Sequence, residues 1–209
     1  MRNKKIILFD FDGVITDSYS VAFKTSQFFD PSLTEEKHKE RFKGNVNEAV
    51  VENKDRLPIE IRNIQFFDLY VPEFLKCPVF PGMLDVIKKL SENYILIIVS
   101  STISSPIREY LIEHNVLNYF SEVMGNDIHH SKVEKIKMVF EKYGVAPEDC
   151  LFITDTVGDL CEANKTGVNA IAVTWGFHNL ETLIEGNPIA FVDKPVDLPI
   201  RVDEYFNSV

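Results

Sequence analysis

The chain has 209 residues, with 22 Lys and Arg against 32 Asp and Glu and a formal charge of -10. That length suits one α/β domain with an insertion, burying on the order of 70% of its extended-chain surface. The acidic balance argues against nucleic acid and against an anionic membrane, both of which need a basic surface. It does not argue against a small phosphorylated ligand, because the local field of a site decides that. Cys77, Cys150 and Cys161 are odd in number and lack CxxC spacing, so neither a disulfide framework nor a zinc site is expected. The reading is a reduced, cytoplasmic protein, monomer or homodimer. No stretch approaches the roughly 18 apolar residues of a membrane span. The basic start of the chain is followed by only four apolar residues before Asp10, too few for the core of a signal peptide.

Residues 6–9, Ile-Ile-Leu-Phe, form a short apolar run of the kind buried on both faces of a sheet. They lead into Asp10-Phe11-Asp12-Gly13-Val14. Aspartates at i and i+2 of an extended chain point to the same side, where two like charges call for a cation between them or a shared proton. The same residues also read as an ordinary strand end and turn.

From 17 to about 80 the pattern is helical. Ser18 is placed to cap a helix carrying Val21, Ala22, Phe23 and Phe28, which Asp30-Pro31 ends. Thr34 begins a second, charged helix, and Gly44-Asn45 breaks it before Val46, Ala49 and Val50 resume. A further helix carries Ile61, Ile64, Phe67, Leu69 and Phe74, and the aromatics Phe66, Phe67, Tyr70 and Phe74 read as packing.

Pro81-Gly82 precedes a helix face of Met83, Ile87 and Leu90, then a strand over 94–99 that runs into Ser100-Ser101-Thr102. Ser105-Pro106 reads as N-cap and first helical position, so hydroxyls and free amides gather at one strand end, an arrangement suited to an anion. A third strand is expected over 122–125. Ser131-Lys132-Val133-Glu134 has the form of a capping box, with Lys132 at the first helical position. A cation there opposes the helix dipole by about 0.3–1 kcal/mol, a conflict that a shared anion would remove. Residues 150–154 form a buried strand ending at Asp155, and a helix starting near Thr156 would put Asp159 in its first turn. Carboxylates supplied singly, with water in the remaining positions, suit magnesium better than zinc or calcium. Further strands are expected over 169–174 and 189–192, with residues 175–178 looping to the same sheet edge and a helix or arm from Val196 onward.

Together these motifs resemble the haloacid dehalogenase-like hydrolases, in the phosphoglycolate phosphatase and beta-phosphoglucomutase-like group. The resemblance runs from Asp10 to Asp159. It implies a three-layer, doubly wound (Rossmann-like) parallel sheet of residues 1–16 and 80–209, with a small α-helical cap, 17–79, inserted after the first strand. It implies Asp10 as nucleophile and Asp12 as general acid and base. Ser100, the Ser101 amide and Lys132 fall on the phosphoryl-binding positions, and Asp10, Asp12 (through its carbonyl), Asp155 and Asp159 on those that hold Mg2+. Thr154 departs from the family's usual glycine. Arg41, Lys43 and Asn45, around the break at Gly44, are candidates to touch the non-phosphate part of the substrate. The expected function is magnesium-dependent hydrolysis of a small phosphorylated metabolite through an aspartyl-phosphate. Its rivals are a phosphomutase of the beta-phosphoglucomutase kind and a catalytically silent phosphoryl-binding or switch protein.

Overall fold

The structure is a computed structural model and describes residues 5–45 and 64–208. In chain order it contains β1 (Ile6–Phe9), α1 (Tyr19–Phe29), α2 (Glu35–Glu40), α3 (Phe66–Phe74), α4 (Met83–Ser91), β2 (Ile95–Val99) and α5 (Ser104–Glu113). These are followed by β3 (Phe120–Met124), α6 (Lys132–Tyr143), β4 (Cys150–Thr154), α7 (Val157–Thr166), β5 (Asn169–Val173), α8 (Leu180–Leu183), β6 (Ala190–Val192) and α9 (Leu198–Ser208). The six strands form one parallel sheet in the order β3-β2-β1-β4-β5-β6, with helices on both faces. Among the described residues, no helix is long and apolar enough to cross a membrane.

The apolar run of β1 is continuous because successive side chains serve opposite layers. Ile7 and Phe9 join the core with Met83, Val86, Ile107 and Val202, whereas Ile6 and Leu8 join the one with Ile136, Leu160 and Ala163. Truncating Ile7, Leu8 or Ile136, each fully buried, to alanine would cost on the order of 2–5 kcal/mol.

The chain leaves the sheet and comes back to it through paired segments. Thr16 and Val79 form an antiparallel bridge, Asp17 N donates to Pro78 O at 2.9 Å, and Phe80 N donates to Ile15 O at 3.1 Å. Between them, the described residues form α1, α2 and α3. Thr34 caps α2 by accepting from Lys37 N, as its sequence predicts. Val46, Ala49, Val50 and Ile61 lie outside the described residues.

Three local expectations need correction. α5 starts at Ser104 rather than after Ser105, because the Asp127 carboxylate takes the Ser104 amide at 2.7 Å while Ser104 Oγ accepts from Gly125 N at 2.9 Å. Ser131 is the N-cap residue of α6 but closes no capping box. Its hydroxyl donates to Glu162 at 3.2 Å, and Glu134 pairs with Lys137 at 2.8 Å instead. Ser18 precedes α1 without capping it, since its hydroxyl is given to Asp12.

Candidate active site

Strand register brings the motifs to one edge. Phe9 lies opposite Ile98 on one side and Ile153 on the other, so the next residues, Asp10, Val99 and Thr154, stand level at the carboxyl ends of three adjacent strands. Asp10 N still donates to Ile153 O at 2.9 Å, which holds the first carboxylate firmly to the sheet. Ligands of doubly wound sheets bind at this end.

Lys132 is 2% exposed, and its ammonium bridges Asp10 Oδ1 at 2.8 Å and Asp159 Oδ2 at 2.6 Å. Burial alone would lower its pKa; the two carboxylates outweigh that and raise it, so it stays charged. Asp10 Oδ1 also accepts from Phe11 N at 2.8 Å. Burial holds the Asp10 carboxyl well above its usual range against the pull of Lys132, with Asp159 and Asp155 adding to the rise. Burial opposes ionisation at Asp159 too, but there Lys132 and the hydroxyl of Thr154, at 2.7 Å, prevail and its pKa falls. Thr154 thus adds a donor where the resembling family has glycine.

Asp155 is fully buried. Its Oδ2 accepts from Phe177 N at 2.6 Å, while Oδ1 has no hydrogen-bond partner among the described residues. Burial, and then Asp159 against the pull of the Phe177 amide, raises its pKa to about 8. Gly13, at φ 74°, and Gly176 let the backbone close around this side chain: a Cβ on either would stand 2.0 or 2.2 Å from Asp155 Oδ2. Three buried carboxyls stand around Lys132, one with an orphaned oxygen, and a divalent cation beside them would favour the ionised form of all three. Among the described residues no three Asp, Glu, His or Cys side chains form a ready metal cage.

Asp12 is the meeting point of three hydroxyls. Ser18 Oγ donates to Oδ1 at 2.8 Å, the Tyr70 hydroxyl donates to the same oxygen, and Thr102 Oγ1 donates to Oδ2 at 2.8 Å. Burial, then the carboxylate beside it, pushes the Tyr70 phenol well above its ordinary range, so it keeps its proton. Ser100 is buried and its Oγ accepts from Thr102 N at 3.0 Å, which leaves the hydroxyl proton free to donate. Ser101 lies beside it, partly exposed.

The three cap candidates have different placements. Arg41 pairs with Asp30 at 3.3 Å, and Lys43 pairs with Glu40 at 3.1 Å and Glu185 at 3.0 Å. Asn45 Nδ2 donates to Glu162 Oε1 at 3.3 Å. Asn45 is therefore the one joined to the Lys132 support.

Several working residues escaped sequence reasoning. Glu162 Oε1 accepts the Lys132 amide at 3.0 Å and so caps α6 from α7, thirty residues away. Lys135 is fully buried and donates to Ser100 O at 2.5 Å and Gly125 O at 3.3 Å, tying together the ends of β2 and β3. Burial, with Lys132 nearby, lowers its pKa to about 8. His178 Nδ1 accepts from Val157 N at 3.1 Å, so Nε2 carries the proton shared with Lys39 O at 2.9 Å. Tyr70 was legible only as an aromatic packing residue.

An α/β fold with an acidic, lysine-bridged cluster at the carboxyl end of its sheet is suited to handling a phosphoryl group. The chain belongs to the haloacid dehalogenase-like hydrolases, whose family model matches residues 7–173. It is an enzyme of the phosphatase type. It is 26% identical over 199 residues to a phosphoglycolate phosphatase from Synechococcus elongatus, covering 92% of this chain and 94% of that one. Phosphoglycolate phosphatase 1 of Pseudomonas aeruginosa is 25% identical over 216 residues, covering 94% and 79%. Among solved structures, a predicted phosphatase from Clostridium acetobutylicum matches with a TM-score of 0.80 at 19% identity, covering 96% and 99%. A haloacid dehalogenase-like family protein from Streptococcus pneumoniae matches with a TM-score of 0.74 at 21% identity, covering 97% and 100%.

Proposed function

We propose that this enzyme is a magnesium-dependent phosphatase that hydrolyses a small phosphorylated metabolite through an aspartyl-phosphate on Asp10. The observation that carries the reading is the placement of Lys132 between Asp10 and Asp159, at 2.8 and 2.6 Å, beside the orphaned oxygen of Asp155. The names of the curated relatives make 2-phosphoglycolate the first substrate to assay.

Phosphate monoesters resist hydrolysis, so a catalyst must remove on the order of 20 kcal/mol of barrier. A carboxylate attacking a phosphate dianion meets charge repulsion first, and positioning with electrostatics must overcome it. Lys132 and the Ser100 hydroxyl draw the phosphoryl oxygens toward Asp10. The Asp10 carboxylate then bonds to phosphorus as the ester oxygen leaves, and Asp12 gives that oxygen its proton. In the second half, Asp12 takes a proton from water, the water oxygen bonds to phosphorus, and the bond to Asp10 breaks. Magnesium, held by Asp10, Asp155 and the Asp12 carbonyl, would supply positive charge against the transferring group. Asp159 serves mainly to fix Lys132, because its Oδ2 is already taken by Lys132 and Thr154.

Residues 17–79 act in this reading as the cap, closing over the site and excluding water. The test is release of phosphate from a panel of phosphorylated metabolites, 2-phosphoglycolate included, with magnesium and with EDTA. Magnesium-dependent turnover that Asp10→Asn abolishes is expected, and full turnover in that variant would overturn the reading. Recovery of an isomeric sugar phosphate in place of inorganic phosphate would point to a mutase.

A further inference from the structure

Asp12 is held by three hydroxyls whose division between its two oxygens is unequal. A carboxylate oxygen offers about two lone-pair sites for short hydrogen bonds, and a third donor is held only at longer range. Oδ1 has both places filled, by Ser18 at 2.8 Å and by Tyr70, while Oδ2 has one filled, by Thr102 at 2.8 Å. We infer that Tyr70 and Ser18 fix Oδ1 as a permanent acceptor and so assign the reaction's proton to Oδ2, making Tyr70 a positioning residue for acid catalysis. This rests on the phosphatase reading and adds to it which oxygen works and what orients it.

Thr102 suits the remaining oxygen because its hydroxyl fills one acceptor place on Oδ2 and leaves the other for the proton. It can donate to Oδ2 in both states, so the carboxyl stays oriented while the acid proton faces the leaving oxygen. Tyr70 reaches the site from α3, which lies in the inserted segment, and it does so on a stiff support. Its ring stacks on Phe66 at 5.2 Å and on Phe74 at 5.4 Å, and Phe74 packs on Phe11 at 5.6 Å and on Tyr110 at 5.4 Å. Tyr70 itself is 2% exposed. A phenol locked by rings at this spacing sets the direction of the carboxyl it bonds, as a supporting shell does. In the first half-reaction the Oδ2 proton passes to the leaving oxygen as its bond to phosphorus breaks and the Asp10–phosphorus bond forms. In the second half the water proton returns to Oδ2.

The test compares two aryl esters. The phenolate of p-nitrophenyl phosphate leaves with little help from an acid, whereas that of phenyl phosphate needs a proton. The ratio of kcat/KM between them reports acid catalysis up to phosphoryl transfer, and a merely structural lesion would lower both alike. Tyr70→Phe keeps the ring and removes the donor. It should reduce kcat/KM for phenyl phosphate at least about tenfold more than for p-nitrophenyl phosphate. Ser18→Ala, which leaves the aromatic packing untouched, should move the ratio in the same direction. Thermal melts verify that both variants fold. Equal losses on the two esters in both folded variants would overturn the inference and leave the phosphatase reading standing. A wild-type enzyme inert toward both esters and the metabolite panel would bring down both.

Discussion

The main-chain amide of Lys132 is held by the side chain of Glu162, at 3.0 Å, so the position of one helix start is set by a carboxylate on the next helix. The same Glu162 oxygen accepts from Ser131 at 3.2 Å and from Asn45 at 3.3 Å. Glu162→Ala strips three donors of their acceptor. It should destabilise the fold by about 1–3 kcal/mol in urea titrations. It should also lower kcat/KM about tenfold, the kinetic equivalent of ~1.4 kcal/mol of lost alignment at Lys132. Unchanged stability and turnover would show that the contact is idle.

Lys132→Met leaves Asp10 and Asp159 buried without their common cation. Breaking a buried ion pair on one side costs about 3–5 kcal/mol. Much of that should return when Asp159→Asn is added, because one stranded charge disappears. The double-mutant cycle should therefore be strongly non-additive in stability, while both variants stay catalytically impaired. Simple additivity would mean that the two side chains do not interact as placed.

His38 gives a pH dependence of known sign. It is buried among Tyr19, Phe23 and Phe42, with Nε2 on the Ser26 hydroxyl and Nδ1 without a partner among the described residues. Burial lowers its pKa to about 4, and Arg41 and Lys39 add to the shift. A folded pKa below the unfolded value means that the unfolded chain binds more protons between about 6.5 and 4. The stabilisation is thus present above pH 6.5 and is lost as pH falls toward 4, by up to about 3 kcal/mol. Comparing the stability of wild type and His38→Phe across that window isolates the contribution from the carboxylates that titrate nearby. A difference between the two proteins that is flat with pH would contradict it.

Gly13→Ala should be damaging on two counts. The residue sits at φ 74°, and a Cβ would stand 2.0 Å from Asp155 Oδ2. The backbone conformation alone costs about 1 kcal/mol, and the clash adds to it by displacing the orphaned carboxylate. The expected result is a lower melting temperature together with a higher magnesium requirement for phosphate release. A variant with wild-type magnesium dependence would separate Asp155 from the metal.

The sheet was legible because buried parallel strands announce themselves as apolar runs, and the runs before Asp10, Ser100 and Asp155 end where strands β1, β2 and β4 end. Asp159 in the first turn of α7 was equally readable, since Thr156 is a strong cap and accepts from Asp159 N at 3.4 Å. What stayed hidden depends on contacts distant along the chain. The Ser131 box reads well locally, but Glu162 competes for the same hydroxyl from another helix. Ser18 has the position of a cap and the partner of a catalytic carboxylate. Tyr70 lies among aromatics whose spacing reveals packing but not which ring carries its hydroxyl to Asp12. Lys135 reads as one more helix lysine until its burial against two carbonyls is seen.

The central claim is that the phosphoryl group passes through Asp10. Acid quench during turnover, followed by peptide mass spectrometry, measures this directly. The expected result is a phosphorylated aspartate at position 10 in the peptide spanning Asp10 and Asp12, labile to hydroxylamine and absent from Asp10→Asn. Steady turnover with that peptide unmodified at every quench time, or with the phosphate on another residue, would contradict it.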